Sequence, residues 1–372
     1  MDSIDLIEPY RDPAIIKHYI NKIIERRNLL NKSLSIMEVC GGHTHSILKY
    51  GIEKALSGYV NFLHGPGCPV CIVPKERIDH AIWLAKRKDV ILITLGDVIR
   101  VPGSSSSLAK ARAEGADVRF VYSPADAIEI ARQNPTKTVV YFAIGFETTT
   151  PMTAWLVKKS YEENIQNLFF HVNHVLVAPA MQALVSDRDH KIEAFLGPSH
   201  VSVVAGADIY NIFSEQFSIP VVVGGFEPVD VLEAVLMIFD QFLEKKCAVE
   251  IQYKRAATFA PNSKSKILID SVFEIAPQFR WRGLGNIPNS SLQLQKKYKK
   301  FNVFEKFKNE LSDIAVEDDP GCLCPEILKG KKTPTDCVYF AKTCNPQNPV
   351  GACMVSTEGA CSAYYQYGNY EQ

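Results

Sequence analysis

The feature that most constrains this chain is a series of short apolar runs between residues 35 and 245, separated by polar loops and amphipathic stretches. Eight runs have the length of a buried strand, and they lie at 35–39, 59–63, 90–95, 118–122, 138–144, 168–172, 201–205 and 220–224. Strands that alternate with helices are typical of parallel sheets covered by helices. We therefore predict an α/β fold, preceded by a helix over residues 12–32, where isoleucines recur at helical spacing.

The same region contains a weak internal repeat. Phe62-Leu63-His64, Leu95-Gly96-Asp97 and Gly145-Phe146-Glu147 correspond to Phe169-Phe170-His171, Gly206-Ala207-Asp208 and Gly225-Phe226-Glu227. Chance similarity between two βα units is the alternative explanation. A duplication predicts two similar parallel-sheet lobes, 35–150 and 151–245, that face each other across a crevice. Such a crevice is where α/β proteins usually bind their ligands.

Beyond residue 245 the alternation fades, and residues 288–312 are predicted to form one or two helices. Residues 318–372 hold six of the ten cysteines: Cys322, Cys324, Cys337, Cys344, Cys353 and Cys361. A loop-rich segment of this composition is typical of a module organised by a metal. We predict that residues 246–372 form a C-terminal domain, loop-rich and helical, on which the helix of residues 1–34 packs.

Three kinds of site are compatible with these six thiols. Four thiolates hold a cubane iron–sulfur cluster. Structural zinc usually takes two close Cys-x₂₋₄-Cys pairs, and this segment lacks that spacing. Structural disulfides are the third possibility. We predict a [4Fe–4S] cluster, with two thiols left over that can form a redox pair.

Two more thiol segments follow the first two predicted strands. Cys40 ends a strand, and the glycines after it allow close backbone approach, while the next helix N-terminus favours a thiolate. Cys68 and Cys71 form a Cys-x-x-Cys pair, which can close a disulfide or bind a metal ion. The simpler alternatives are a buried core cysteine for Cys40 and half of a zinc site for the pair.

Polar residues also end two later strands. Glu147, Thr148 and Thr149 place a carboxylate and two hydroxyls at a predicted helix start, where helix capping is the simpler role. His171 and His174 end another strand, and we predict that each is a buried, hydrogen-bonded histidine.

Composition and charge exclude several classes of protein. The 41 Lys and Arg residues balance 41 Asp and Glu residues, so charge gives no argument for nucleic-acid binding. No apolar stretch has the length of a membrane span, and the first eleven residues lack a signal-peptide core. A P-loop motif is absent as well. We expect a cytoplasmic protein whose cysteines are metal ligands or redox thiols.

Five motifs, taken in order, resemble those of the HypD family of hydrogenase maturation proteins over nearly the whole chain. They are Cys-Gly-Gly-His-Thr-His at 40–45, Gly-Pro-Gly-Cys-Pro-Val-Cys at 65–71, Gly-Phe-Glu-Thr-Thr at 145–149, Pro-Thr-Asp-Cys at 334–337 and Ser-Thr-Glu-Gly-Ala-Cys at 356–361. The resemblance implies two related α/β domains, a cluster-bearing part, and a role in building the Fe(CN)2CO unit of [NiFe] hydrogenases. It also implies that HypC shares the iron with this protein and that HypE delivers cyanide.

The resemblance assigns roles by motif. Cys40 would bind the transient iron with support from His43, Cys68 and Cys71 would form the thiol–disulfide pair, and Glu147, Thr148 and Thr149 would line the same cleft. The implied cluster ligands are Cys324, Cys337, Cys344 and Cys361, which leaves Cys322 and Cys353 as a second pair. A cluster-driven thiol–disulfide oxidoreductase, similar to ferredoxin–thioredoxin reductase, is the alternative function. It leaves Cys40 and its histidines unexplained, and a binding scaffold with structural zinc is a third hypothesis.

Overall fold

A computed structural model describes residues 7–311 and 314–368 of the chain. Its strands are β1 (Leu34–Glu38), β2 (Val60–His64), β3 (Val90–Thr94), β4 (Val118–Phe120), β5 (Thr138–Gly145), β6 (Leu168–His174), β7 (Ala194–Pro198), β8 (Val221–Gly224), β9 (Val249–Ile251), β10 (Phe273–Trp281) and β11 (Gly285–Leu294).

The helices before the middle of the chain are α1 (Pro13–Leu30), α2 (Gly41–Lys49), α3 (Ile52–Ala55), α4 (Pro69–Ile72), α5 (Lys75–Ala85), α6 (Leu108–Ala113), α7 (Asp126–Gln133), α8 (Thr150–Glu162) and α9 (Val177–Val185). The later helices are α10 (Ser199–Ala205), α11 (Asn211–Gln216), α12 (Pro228–Leu243), α13 (Ser263–Val272), α14 (Val303–Lys306), α15 (Cys324–Leu328) and α16 (Ala360–Tyr367). Short 3₁₀ helices lie at Glu8–Tyr10, Gly96–Arg100, Ala207–Tyr210, Lys296–Phe301, Pro334–Asp336 and Ala352–Met354.

Two parallel sheets form the centres of two α/β lobes. The five-stranded sheet has the order β2-β1-β7-β8-β9, and the four-stranded sheet has the order β4-β3-β5-β6. All strands of both sheets are parallel, as expected for strands joined by helical crossovers. The predicted fold class, two parallel-sheet α/β lobes followed by a C-terminal cysteine-bearing part, is confirmed.

The two sheets are not built from consecutive halves of the chain, and they cut across the predicted boundary at residue 150. β1 and β2 pair with the late strands, through contacts such as Ile36 opposite Ala194, while β3 to β6 form the other sheet. The chain therefore passes between the lobes twice, after β2 and after β6. Parallel strands are joined by long crossovers, so neighbours in a sheet need not be neighbours in sequence.

Seven of the eight predicted strands are confirmed to within two residues, and the run at 201–205 is wrong. That run is helical (α10), and the strand is β7, seven residues earlier. The valines of the run favour a strand by propensity, but the Ala-Phe-Leu-Gly-Pro segment of β7 is the one buried between β1 and β8. The proposed correspondence of Gly206-Ala207-Asp208 with a strand end therefore fails.

The segment predicted as one or two helices at 288–312 is mostly different. β10 and β11 form an antiparallel hairpin, which extends from Phe273, opposite Leu294, to Trp281, opposite Gly285. Trp281 is fully buried, and its indole N–H donates a hydrogen bond to Ser290 Oγ at 2.8 Å. Only the Lys296–Phe301 turn and α14 are helical there, and residues 312 and 313 lie outside the described residues.

The N-terminal helix is confirmed, but its predicted packing partner is wrong. α1 packs against α12, where Arg26 Nε donates to Asp240 Oδ1 at 2.7 Å and Tyr19 Oη donates to Glu233 Oε1 at 3.3 Å. Ile23 is the buried residue of α1 and belongs to the core between the helix and the five-stranded sheet. Residues 1–6 of the predicted 1–34 unit lie outside the described residues.

The C-terminal segment packs against the cores of both lobes. Ala352 and Val355 belong to the core beneath the four-stranded sheet, whereas Cys353 and Tyr364 belong to the core that includes β7 and β8. β9, which falls inside the predicted 246–372 domain, is the outer strand of the five-stranded sheet. Across residues 7–311 and 314–368, no helix has the length and apolarity that a membrane crossing requires.

Replacing Ile23 by alanine tests the packing of α1. The change leaves a cavity under the helix, and we expect the free energy of unfolding to fall by about 3 kcal/mol. Ile15→Ala on the same helix removes an exposed side chain and should change it by less than about 0.5 kcal/mol. Urea unfolding of the two variants gives both values. Equal losses would show that α1 is not anchored through Ile23.

Candidate functional site

A cleft of about 430 Å³ lies where the carboxyl ends of the two sheets face each other. Residues just after β1, β3, β5 and β7 line it, together with a turn of the C-terminal segment. Its polar lining side chains are Cys40, Asp97, Thr148, Thr149, His200, Ser356, Thr357 and Glu358. The predicted crevice between two lobes is therefore present, and Cys40 is the one cysteine that lines it.

Cys40 is half-buried at the N-cap position of α2. Burial and the carboxylates of Glu358 and Glu38 raise the pKa of its thiol, although the amides of Gly42 and His43 point at the sulfur and oppose this. The stabilisation of a thiolate by the helix N-terminus is therefore weaker than the combined effect of burial and the two carboxylates. A metal cation bound at the sulfur would lower this pKa, because its positive charge offsets the repulsion between the thiolate and the two carboxylates.

The loop that carries the Cys-x-x-Cys pair is packed directly on Cys40. A β-carbon on Gly67 would lie 2.3 Å from Cys40 N and 2.4 Å from Cys40 Cα, so only glycine fits there. Gly41 N–H also donates to Gly67 O at 3.3 Å. Cys68 is the residue after Gly67, so this contact places the second thiol segment next to the first.

His43 lies behind the cleft rather than in it. Its Nε2 is 3.1 Å from Gly224 O and 3.0 Å from Gly225 O, which makes it the donor to the end of β8, and its ring packs on Phe226. Its Nδ1 has no hydrogen-bond partner among the described residues. His43 supports Cys40 through its backbone amide, and its side chain ties α2 to the five-stranded sheet.

The three residues predicted from the Gly-Phe-Glu-Thr-Thr motif divide between two roles. Thr148 and Thr149 line the cleft, and Thr149 Oγ1 donates to Phe146 O at 3.2 Å, so its side chain makes no cap hydrogen bond to the amides of α8. Glu147 points away from it and accepts from Val177 N–H at 3.0 Å. Burial raises the pKa of Glu147 to about 7, and its other oxygen has no hydrogen-bond partner in the described part of the chain.

The six C-terminal cysteines surround one small cavity, together with Tyr339, Phe340, Gly351 and Met354. Burial and the neighbouring thiols raise the pKa of Cys322 to about 12, and they raise that of Cys361 as well. Such thiols ionise only when cations take the place of their protons. In residues 7–311 and 314–368, no three His, Cys, Asp or Glu side chains are arranged around a single metal ion.

The six thiols around this cavity exceed the four that either a zinc ion or a cubane cluster takes. Zinc would draw four sulfurs to 2.3 Å from one centre, whereas a cubane cluster takes its thiolates at separate corners and so tolerates a wider ring. All ten cysteines are free thiols in this structure. The cavity is therefore compatible with the predicted [4Fe–4S] cluster.

Cys353 joins the N-terminal and C-terminal thiols. Its pKa is affected by the thiol of Cys71 on one side and by that of Cys324 on the other, and the pKa of Cys71 is in turn affected by the thiol of Cys68. Cys322 instead lies among Cys324 and the other cavity cysteines. These interactions group Cys353 with Cys71 and Cys324, whereas the family resemblance left Cys322 and Cys353 as the second pair.

A protein-family model matches almost the whole chain. The family model described as "HypD: Hydrogenase formation hypA family" matches residues 14–368. The chain belongs to the HypD family. The family prediction made from the five motifs is thereby confirmed.

Relatives in this family are similar to the chain over nearly their full length. Hydrogenase maturation factor HypD2 of Bradyrhizobium diazoefficiens is 47% identical over 346 residues, which are 91% of this chain and 90% of that protein. HypD of Rhodobacter capsulatus is 44% identical, over 96% of this chain and 97% of that protein. HypD of Escherichia coli K12 is 43% identical, over 98% of both.

A buried charge network behind Cys40 escaped the sequence analysis. Glu38 is fully buried and accepts from Cys40 N–H at 3.0 Å, from Thr44 Oγ1, and from His64 Nδ1 at 2.9 Å. Burial alone would lower the pKa of His64, but hydrogen bonds to Glu38 and Glu53 outweigh it and raise the pKa to about 9. The only signal in the sequence was an acidic residue within an otherwise apolar strand.

The sequence analysis also missed His200, whereas its prediction for the two histidines of β6 is confirmed. His200 lines the cleft and packs on Phe226, although no motif marked it. His174 Nε2 is 2.8 Å from Thr153 Oγ1, and the Asn173 amide donates to His171 Nδ1 at 2.8 Å. Both predicted buried histidines are confirmed as hydrogen-bonded core residues.

Replacing Gly67 by alanine tests the contact between the loop and Cys40. The nearest atoms are backbone and cannot turn aside, so we expect a loss of about 1–3 kcal/mol in unfolding free energy and faster alkylation of a displaced Cys40. Gly96→Ala is the matched control, because its β-carbon would meet nothing within 4 Å at the same cleft. Urea unfolding and peptide mapping after iodoacetamide treatment give both readouts. Equal behaviour of the two variants would contradict the packing.

Glu147→Gln tests the buried carboxyl through pH. Because the pKa of Glu147 is raised from 4.5 to about 7, its protonated form stabilises the fold fully below about pH 4.5, and that stabilisation is lost as the pH rises to 7. Glutamine cannot titrate. The difference in unfolding free energy between wild type and variant should change by about 2–3 kcal/mol between pH 5 and pH 7.5, measured by urea unfolding. A constant difference would show that Glu147 ionises normally.

Proposed function

We propose that this protein is a hydrogenase maturation factor that holds an iron atom at Cys40 while the Fe(CN)2CO unit is assembled, together with HypC and HypE. The observation that carries the proposal is the position of Cys40, the single thiol at a cleft between two lobes. Soft thiolate ligands suit an iron that also binds cyanide and carbon monoxide. In this scheme the iron is cargo, and one protein thiol leaves its other positions open to a partner and to incoming ligands.

The cleft around Cys40 supports anionic ligands on that iron. The amides at the start of α2 point toward the sulfur, and α8 begins beside Thr149, on the other wall. Two helix N-termini facing one site favour small anions. The hydroxyl of Thr148 and the ring of His200 supply further polar groups to cyanide nitrogens. Asp97 and Glu358 balance the charge of the metal from the rim.

For the C-terminal thiols we propose a [4Fe–4S] cluster held by Cys322, Cys337, Cys344 and Cys361. The set differs from the motif-based expectation by one residue, because the thiol of Cys353 acts on the pKa of Cys324, whereas the thiols that act on Cys322 are those of Cys324, Cys337 and Cys344. Cys324 and Cys353 then form the second thiol pair. When bound, such a cluster supplies electrons singly.

The line of thiols supports reduction of a disulfide near Cys40. In a thiol–disulfide exchange, the Cys353 thiolate attacks Cys71 of a Cys68–Cys71 disulfide, and Cys68 leaves as a thiolate. Cys324 then attacks Cys353, which releases Cys71 and closes a Cys324–Cys353 disulfide. One dithiol has been exchanged for another, with no net change in electrons or protons. The electrostatic interaction of the Cys353 thiol with those of Cys71 and Cys324 supports this order.

This exchange also supports the alternative function of a cluster-driven thiol–disulfide oxidoreductase. Both functions use Cys68, Cys71, Cys324 and Cys353, and only iron–cyanide assembly needs Cys40. Both functions are compatible with the cytoplasm, where thiols are kept reduced. The two functions are therefore separated by what is bound at Cys40.

Cys40→Ala is the test of the proposed function. In wild-type protein purified anaerobically with HypC, we expect infrared bands of iron-bound cyanide, and these should be absent from the variant. Iron and acid-labile sulfide of the cluster, about four of each per chain, should remain. Cys247→Ala, at an exposed thiol outside the cleft, is the control and should retain the bands.

Three results would reject the proposal. Cyanide bands that persist in Cys40→Ala would remove Cys40 as the iron ligand. Disulfide reduction by a wild-type protein that never shows such bands would favour the oxidoreductase. Zinc in place of iron and sulfide would exclude both functions in favour of a zinc scaffold.

A further inference from the structure

We propose that Arg282, at the turn of the β10–β11 hairpin, is a positioning residue whose buried positive charge raises the reduction potential of the cluster held by the C-terminal cysteines. The inference rests on the cluster in the proposed function, and it adds a residue that no motif marked. It is carried by three observations: where the hairpin turn sits, how the guanidinium is held, and which thiols it faces.

The hairpin turn contacts both the segment that carries Cys71 and the segment that carries Cys324. Arg282 N–H donates to the carbonyl of Ile72, the residue after Cys71, at 2.8 Å. Gly283 packs on Pro325, the residue after Cys324, where a β-carbon would lie 3.0 Å from Pro325 Cα. One turn of the hairpin therefore fixes the N-terminal thiol segment and the C-terminal one relative to each other.

The guanidinium of Arg282 is buried and fully held. Only 4% of the residue is exposed. Nε and Nη2 donate to Asp318 Oδ1 at 2.9 and 2.6 Å, and Nη1 donates to the carbonyl of Pro102 at 3.3 Å. A charge held this way has no freedom to turn toward solvent. Burial also weakens the screening that a surface arginine would experience.

The positive charge of Arg282 reaches the cavity cysteines. The hydrogen bond to Cys353 and burial raise the pKa of Cys324, and the charge of Arg282 opposes them. Arg282, Cys322 and Leu323 also line the same groove on the outer side of the cavity. Reduction potentials of iron–sulfur clusters follow the net charge and solvent exposure of their surroundings. A buried cation therefore favours the cluster with the added electron.

Neutralising Asp318 is expected to shift the reduction potential of the cluster in the opposite direction to neutralising Arg282. Its carboxylate is the partner of Arg282 but is more exposed, at 22%, and Lys75 lies 3.9 Å away from it. Solvent and Lys75 screen this negative charge more than they screen the buried cation. Neutralising Asp318 should thus leave more of the arginine's charge acting on the cluster, whereas neutralising Arg282 removes that charge.

Arg280, in β10, provides a matched control. It lies two residues before Arg282 and also pairs with carboxylates, Glu76 at 3.3 Å and Glu317 at 2.6 Å. Its side chain is 22% exposed, compared with 3% for Arg282. The two arginines share charge, type of partner and the groove that they line. They differ in burial, and it is the charge of Arg282 that acts on the thiol of Cys324.

The experiment is a redox titration of the full chain, purified anaerobically and followed by electron paramagnetic resonance of the reduced cluster. At the wild-type midpoint, Arg282→Gln should lower the ratio of reduced to oxidised cluster about tenfold, which is about 59 mV for a one-electron couple. Arg282→Lys, which keeps the charge, and Arg280→Gln should both stay within about twofold. Asp318→Asn should raise the ratio.

The opposite signs separate electrostatics from structure. A purely structural pair would make Arg282→Gln and Asp318→Asn shift the ratio in the same direction, and that result overturns the inference. So does an unchanged ratio in an Arg282→Gln variant that retains its iron and sulfide, or an equal fall in Arg282→Lys. If Arg282→Gln fails to assemble a cluster, a raised ratio in Asp318→Asn with an unchanged Arg282→Lys supports the inference, and any other pattern rejects it.

Failure of the proposed function has a different signature. Wild-type protein without iron and sulfide would reject the cluster, and with it this role of Arg282. Wild-type protein that holds a cluster but shows no cyanide bands would reject iron–cyanide assembly and leave the role of Arg282 standing on its own titration.

Discussion

The pairing of β1 with β7 is the contact on which the rest of the structure depends. It joins strands that are more than 150 residues apart in sequence, with Ile36 opposite Ala194, and it places β1 inside the five-stranded sheet. Because the chain has already left for the other lobe and returned, the two lobes are tied together by two crossings. Their parallel strands present carboxyl ends toward one space, and the loops that follow those ends meet there.

The second constraint is the C-terminal segment, which packs on both lobes at once. Ala352 and Val355 enter one core while Cys353, between them, enters the other. The thiol at that junction interacts with those of both Cys71 and Cys324. The hairpin turn at Arg282 holds the same two segments from the outside. The line of sulfurs is therefore a consequence of packing between lobes and not of any one local motif.

Buried ionisable groups are concentrated near these thiols, and their protonation follows from what surrounds them. The Cys40 thiol is kept protonated by burial and by neighbouring carboxylates, so a cation changes its state more than pH does. Behind it, Glu38 and His64 form a buried ion pair that fixes the end of β1. Such groups cost free energy to bury unless they are paired. Their presence beside Cys40 is consistent with a site that handles charged ligands.

The sequence by itself determined the local elements, the family and the reactive residue types. Seven strands could be located because fully buried parallel strands are short apolar runs, and Cys40, Cys68 and Cys71 were marked by glycines and prolines that only a constrained loop needs. The tertiary structure alone decided which strands share a sheet, because parallel pairing joins segments through crossovers of any length. It also made the run at 201–205 a helix, turned His43 and Glu147 away from the cleft, and gathered the six C-terminal cysteines around one cavity.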